Sequence, residues 1–175
     1  MGDWQKEMTA KIGSEVQRLR GDRSLLWLET RTAELGHKVA RSGLSQLENG
    51  NRKSISVAEW LVLAAALNTA PILLLFPAYP DGIVEYLPGL EDRAIRAGSW
   101  VEGTSTFVAA SGEINYFENQ LVKAAQEREN TQYKALKMME EHGDFEESLT
   151  WFKRVVQRLE QTIESLGGSV AEKDD

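Results

Sequence analysis

The sequence predicts an all-α protein, and three observations carry that expectation. Apolar residues recur at helical spacing through residues 12–77. Serine caps and glycine stops cut that stretch into five short helices, and residues 145–166 carry an unbroken heptad pattern. The expected architecture is a five-helix domain over residues 1–77, an irregular linker or arm over 78–112, and a long helical hairpin over 113–175.

Residues 1–12 are polar and read as a frayed or short helical lead-in. Ile12, Val16 and Leu19 then share one face of a first helix that ends near Gly21. Ser24 is placed to cap a second helix, Leu25–Leu35, with Leu25, Leu28, Thr32 and Leu35 inward, and Gly36 stops it. Residues 37–40 form a turn with Val39 as its buried plug. A third helix runs from about Arg41 to Asn49, with Leu44 and Leu47 as its packed back and Gly50 as its stop. Ser56-Val57-Ala58-Glu59 is a capping box that opens a fourth helix to Leu67, and Thr69-Ala70-Pro71 starts a short fifth one.

Prolines and glycines punctuate residues 77–112 into short apolar pieces. The composition predicts a linker with little regular structure, with at most a short helix near 90–97 and a weak hairpin around Trp100–Ala110. From Glu113 the pattern is helical to the end. Phe145, Leu149, Phe152, Val156, Leu159, Ile163 and Leu166 repeat with alternating spacings of four and three, which is a heptad seam. Gly143 and Asp144 separate this helix from the one before it. Gly167-Gly168 ends it, and the acidic tail Ala171–Asp175 is expected to lack order.

Composition excludes several function classes. The 175 residues contain no cysteine and two histidines, so disulfides, thiolate metal sites and histidine-rich metal sites are out; no cofactor is expected. The longest apolar run, Trp60–Leu67, has eight residues, against roughly 18 for a membrane span. Nothing at the N-terminus resembles a signal peptide, and the chain reads as a soluble cytoplasmic protein. No nucleophile–base pattern or phosphate-cradling glycine loop is present, so an enzyme is not expected.

The net charge of −7 is unevenly distributed. Residues 1–80 hold ten Lys/Arg against eight Asp/Glu, whereas residues 81–175 hold ten against nineteen. Four cations and one anion, Glu48, lie between Lys38 and Lys53. A local basic stripe against an acidic second half is a pattern that orients a protein on DNA.

These residues carry a family resemblance. Leu28, Arg41-Ser42, Leu44-Ser45-Gln46-Leu47 and Glu48-Asn49-Gly50-Asn51-Arg52, with Val57-Ala58-Glu59-Trp60-Leu61, Leu63–Leu67 and Leu73–Phe76 downstream, resemble the five-helix DNA-binding domain of Cro/CI-type (XRE family) helix-turn-helix regulators, phage repressors included. The resemblance covers residues 12–77, about two fifths of the chain. The sequence departs from the pattern in a longer second helix and turn, with extra residues within 31–37, and in a short loop Gly21-Asp22-Arg23. Leu25 and Leu26 stand where a glutamine is common in the family, and Arg23 or Ser24 could substitute for the phosphate contact that the resemblance implies there.

The resemblance implies a sequence-specific transcriptional regulator, a repressor, that binds double-stranded DNA with the third helix in the major groove. Arg41 can pair with guanine O6/N7 and Gln46 with adenine N6/N7, while Ser42 and Ser45 can donate to bases or phosphates. Gly43 would let the helix approach closely. Asn49, Asn51, Arg52 and Lys53 at the helix end, and Lys38 in the turn, are placed for the sugar-phosphate backbone. Glu48 reads as a structural partner of Arg18 or Arg20, and Trp27 and Trp60 as core or boundary aromatics.

Such regulators bind two half-sites of a palindromic operator as dimers. The heptad seam offers a homodimer interface; it could equally pack on the 114–139 segment within one chain, and both can hold. The alternative function is an antitoxin-like interaction module whose acidic hairpin neutralises a basic partner. A small-molecule effector has no sequence support.

Overall fold

The computed structural model describes residues 4–105, 107–108, 114–115, 120–142 and 146–171. Two compact units result, Met1–Gly98 and Ser99–Asp175. The described residues are mostly helical, with eight helices among them.

In the first unit, α1 (Trp4–Arg20), α2 (Leu25–Glu34), α3 (Arg41–Glu48), α4 (Val57–Ala66) and α5 (Pro71–Leu75) follow one another as expected, although α1 begins earlier than its apolar spacing implied. Capping chemistry sets the boundaries. The Ser24 hydroxyl accepts the Trp27 N–H, and Ser56 and Glu59 exchange side-chain-to-backbone bonds in a complete capping box. After α2, Gly36 adopts φ +87°, which lets its N–H reach the Ala33 carbonyl and the His37 N–H reach the Thr32 carbonyl. Gly50, φ +66°, closes α3 in the same way, through bonds to the Leu47 and Gln46 carbonyls from residues 50 and 51.

The core of this unit gathers one apolar face from each helix: Ile12 and Val16, Leu28, Leu44 and Leu47, Val62, Leu63, Ala64, Ala66 and Leu67, and Leu74, with Val39 plugging the turn before α3. Leu35, expected inward, is instead the cap residue of α2 and is 44% exposed. Its position one step past the last helical residue takes it off the buried stripe. Thr32 is fully buried; its hydroxyl donates to the Glu29 carbonyl and accepts the Val39 N–H.

The stretch expected to be an irregular linker is divided between the two units. Residues 83–93 form an antiparallel hairpin of β1 (Ile83–Leu87) and β2 (Leu90–Arg93), followed directly by α6 (Ala94–Val101). This small sheet is an addition to a mostly helical chain, with which the all-α expectation is broadly compatible. The turn is Pro88-Gly89, with Gly89 at φ +75° as the third residue of a proline-initiated turn demands. Trp100, assigned to a weak hairpin from composition, is helical. The first N–H groups of α6 are bound by the Gly82 and Pro80 carbonyls, and a side chain at Gly98 would touch Ile72 and Tyr79. Hairpin and α6 therefore build onto the helical unit, at α5 and at Trp4 of α1, whose indole N–H reaches the Glu85 carbonyl.

In the second unit, β3 (Phe107–Val108) pairs with β4 (Ile114–Asn115), and α7 (Gln120–His142) precedes α8 (Glu146–Ser165). Ile114 lies in a strand, so the helical pattern starts later than Glu113. Leu121 at the start of α7 lies against Gly168 just past α8, which makes the two helices antiparallel. No helix among the described residues is long and apolar enough to cross a membrane. The tail residues 172–175, together with Phe117 and Phe145, lie outside the described residues.

Candidate nucleic-acid interface

The third helix is held from behind by α1. A Cβ added at Gly13 would sit 2.0 Å from the Leu47 carbonyl oxygen, so the two helix backbones touch there. Thr9, itself buried, donates to the Gln5 carbonyl at 2.8 Å and lies 3.4 Å from the Lys53 carbonyl, which brings α1 against the loop that leaves α3. Arg20, at the C-terminal end of α1, makes two hydrogen bonds of 2.7 Å to the Glu48 carboxylate, with the side chains 14% and 4% exposed. Glu48 is thus the structural partner of Arg20; Arg18 pairs with Glu15 instead.

With Leu44 and Leu47 fully buried, the opposite side of α3 presents Arg41, Ser42 and Gln46 exposed and Gly43 and Ser45 half-buried. Gly43 is open: the nearest atom to an added Cβ is the Arg52 Nη1 at 4.0 Å. No neighbour packs closely against Gly43, so its helix-propensity cost of about 1 kcal/mol is not offset by close packing within the chain. Asn49 is exposed, and its amide donates to the Ser45 hydroxyl at 3.4 Å. Asn51 is exposed beyond the helix, with its backbone N–H on the Gln46 carbonyl.

The expected backbone-binding cations divide into engaged and open groups. Arg52 forms a two-pronged pair with Glu59, both distances 2.9 Å. The guanidinium, helped by the Ser56 N–H and hydroxyl and opposed by burial, holds the Glu59 carboxyl at about 2, well below the usual range. Arg52 therefore braces the loop after α3 against α4. Lys38 pairs with Glu29 at 3.1 Å. Arg23 stacks on Trp27 at 4.1 Å and donates to the Arg20 and Leu19 carbonyls, closing the end of α1. Ser24 spends its oxygen on the α2 cap but keeps a hydroxyl proton to donate. Among the described residues, Arg41 and Lys53 make no ion pair.

Sequence reasoning missed Glu29. Its signal was its register: Glu29 is one turn beyond Leu25 and adjacent to Leu28, so it lies at the inner edge of α2, where a carboxylate calls for a cation. Gly13 gave no local signal at all.

In the α7–α8 hairpin the heptad seam is closed at Ile163 and partly open on either side of it. Ile163 is 3% exposed and Ala124 6%, whereas Leu149, Phe152, Val156 and Leu159 are half-buried and Leu166 is exposed. Leu136, Leu149, Phe152 and Val156 line an open groove of about 770 Å³, and Tyr133, Met139 and Trp151 are exposed on the same two helices.

Comparison with protein-family models, with curated proteins and with solved structures gives no match.

Proposed function

We propose that this chain is a sequence-specific DNA-binding transcriptional regulator, a repressor of the Cro/CI type, whose α3 enters the major groove of a palindromic operator. One observation carries the reading. On a helix whose Leu44 and Leu47 are sealed in the core, Arg41, Ser42, Gly43, Ser45 and Gln46 form a small polar face with donors suited to base edges. Lys53, Asn49 and Asn51 flank that face and serve the phosphates. This activity places the protein in the cytoplasm, on the nucleoid.

The dimer that a palindrome requires is assigned to α7 and α8. The half-open seam leaves more apolar surface than one antiparallel partner helix covers, and a second copy would close it. The same open groove favours a second reading, an interaction module that neutralises a basic partner protein through its acidic helical hairpin.

Selection of bound duplexes from random DNA by the intact protein tests the first reading. Enriched half-sites should form an inverted repeat spaced by about one helical turn, ~34 Å, or a multiple. Arg41→Ala or Gln46→Ala should relax preference at single positions, and Lys53→Ala should weaken binding to all sequences alike. Equal retention of scrambled DNA would remove the reading. A stoichiometric basic protein that co-purifies with the intact chain, and is lost on disrupting the groove, would favour the second.

A further inference from the structure

We propose that Glu29 is the positioning residue of the α3 reading face: it fastens the turn that carries α3 and withholds Lys38 from the DNA backbone, leaving recognition to the side chains of α3 itself. This rests on the DNA-binding reading above.

Glu29 connects to residues 38–41 in two ways. Its carboxylate meets the Lys38 ammonium at 3.1 Å, with the glutamate side chain 17% exposed and the lysine 63%. Its carbonyl accepts the Thr32 hydroxyl, which in turn accepts the Val39 N–H. The Lys38 ammonium draws the Glu29 carboxyl below its usual range; burial opposes this, and the Arg41 backbone N–H at the first turn of α3 assists it. One residue of α2 thus holds Lys38, holds Val39 by way of Thr32, and holds the start of the helix beyond them.

The carboxylate also lies in a cleft lined by Leu25, Ala40, Arg41, Ser42 and Ser45. These include three of the residues assigned to base edges. A phosphate that approaches this cleft meets Arg41, whose charge also acts on Glu29, and at its edge a neutral Lys38–Glu29 pair instead of a free ammonium. Because the lysine is exposed, the pair is a soft one, and removing the negative charge is enough to release the cation. Glutamine at position 29 keeps an oxygen for the Arg41 N–H while losing that charge, which separates the electrostatic role from the fastening one.

The test measures affinity against salt concentration for the full chain, with one duplex selected from a random pool and one scrambled duplex. The parent, Glu29→Gln, Lys38→Ala and the double variant are compared, each with its melting temperature. Glu29→Gln should bind both duplexes about threefold tighter or more at low salt. Its slope of log affinity on log salt should steepen by about 0.9, the value of one added phosphate contact, so the ratio of selected to scrambled binding narrows. Lys38→Ala alone should leave the slope unchanged, and the double variant should return to the parent slope. A slope that drops by about 0.9 in Lys38→Ala would show that Lys38 already contacts phosphate and would overturn the proposal. So would a Glu29→Gln variant that loses affinity and melting temperature together at constant slope. A parent that binds neither duplex at any salt concentration removes the DNA-binding reading itself, a distinguishable failure.

Discussion

Replacing Gly13 with alanine should destabilise the first unit, against the ordinary effect of that change in a helix. Alanine is favoured over glycine inside a helix by about 1 kcal/mol, so an exposed or loosely packed site would gain stability. At Gly13 the new methyl would lie 2.0 Å from the Leu47 carbonyl oxygen and 2.7 Å from its carbon, where ordinary contact begins at 3.4 Å. Both atoms are backbone, and the same carbonyl accepts the Gly50 N–H at 3.1 Å that ends α3. Relief requires α1 and α3 to part by more than an ångström, which loosens the seats of Leu44 and Leu47, both 0% exposed. Overpacking of this kind costs about 1–3 kcal/mol and at times more. Since rigid backbone offers no easy escape, the upper end of that range applies, and a net loss of about 2 kcal/mol is expected after the propensity gain. For a unit of this size that lowers the melting temperature by roughly 8–16 °C. Urea denaturation of the full chain followed by far-ultraviolet circular dichroism measures it. Gly43→Ala is the reference, because its methyl would have only an arginine nitrogen 4.0 Å away. That variant should gain about 0.5–1 kcal/mol and, with α3 in the groove, bind DNA less well. A Gly13→Ala protein as stable as the parent would refute the close α1–α3 crossing.

Two further outcomes follow from the ion pairs. Glu48→Ala should cost about 2–3 kcal/mol in urea denaturation, since it strands the Arg20 guanidinium at 14% exposure with only the Gly21 and Arg23 carbonyls left to accept from it; a loss under about 0.5 kcal/mol would mean the pair is solvent-screened like a surface one. Acid should weaken the brace between Arg52 and Glu59. The Glu59 carboxyl sits at about 2 instead of 4.5, so its contribution is whole above pH 4.5 and disappears as the pH falls through about 2. At about 1.4 kcal/mol per pH unit the full depression corresponds to roughly 3 kcal/mol, reduced by solvent screening at this half-buried position to about 1–2. The stability difference between the parent and Glu59→Gln, measured from pH 6 down to 2, should shrink steadily below pH 4.5 to a few tenths of a kcal/mol at pH 2; a constant difference would contradict the assignment.

Much of the helical framework was legible in residue order. Ser24, the Ser56–Glu59 capping box, Gly36 and Gly50 act on backbone groups within a turn of themselves, so their positions mark helix ends without reference to the rest of the chain. The division of α3 into a buried leucine back and a polar front follows likewise from a period of 3.6 residues. The hairpin at 83–93 escaped that logic. Its strands are too short for a clear alternation, and Pro88-Gly89 was taken as one more break among many when it is the turn between two paired runs. Ile114 was drawn into a helix by a stripe that begins in earnest only at Gln120.

The sequence by itself thus determined which residues could form a reading face: Arg41, Ser42, Gly43, Ser45 and Gln46, on a helix capped and stopped by its neighbours in the chain. The tertiary structure decided which cations remain open beside that face. Arg52 and Lys38 lie in the same basic stripe as Arg41 and Lys53 by sequence, yet Glu59 and Glu29 form ion pairs with the first two, while the other two make none among the described residues. It also decided that Gly13 is where α1 meets α3, and that the heptad seam closes at Ile163 while Phe152 lines an open groove. Caps and periodicity are set by neighbours within about four residues. Charge pairing and close backbone contact are set by whatever the fold brings alongside, and only the packed chain specifies that.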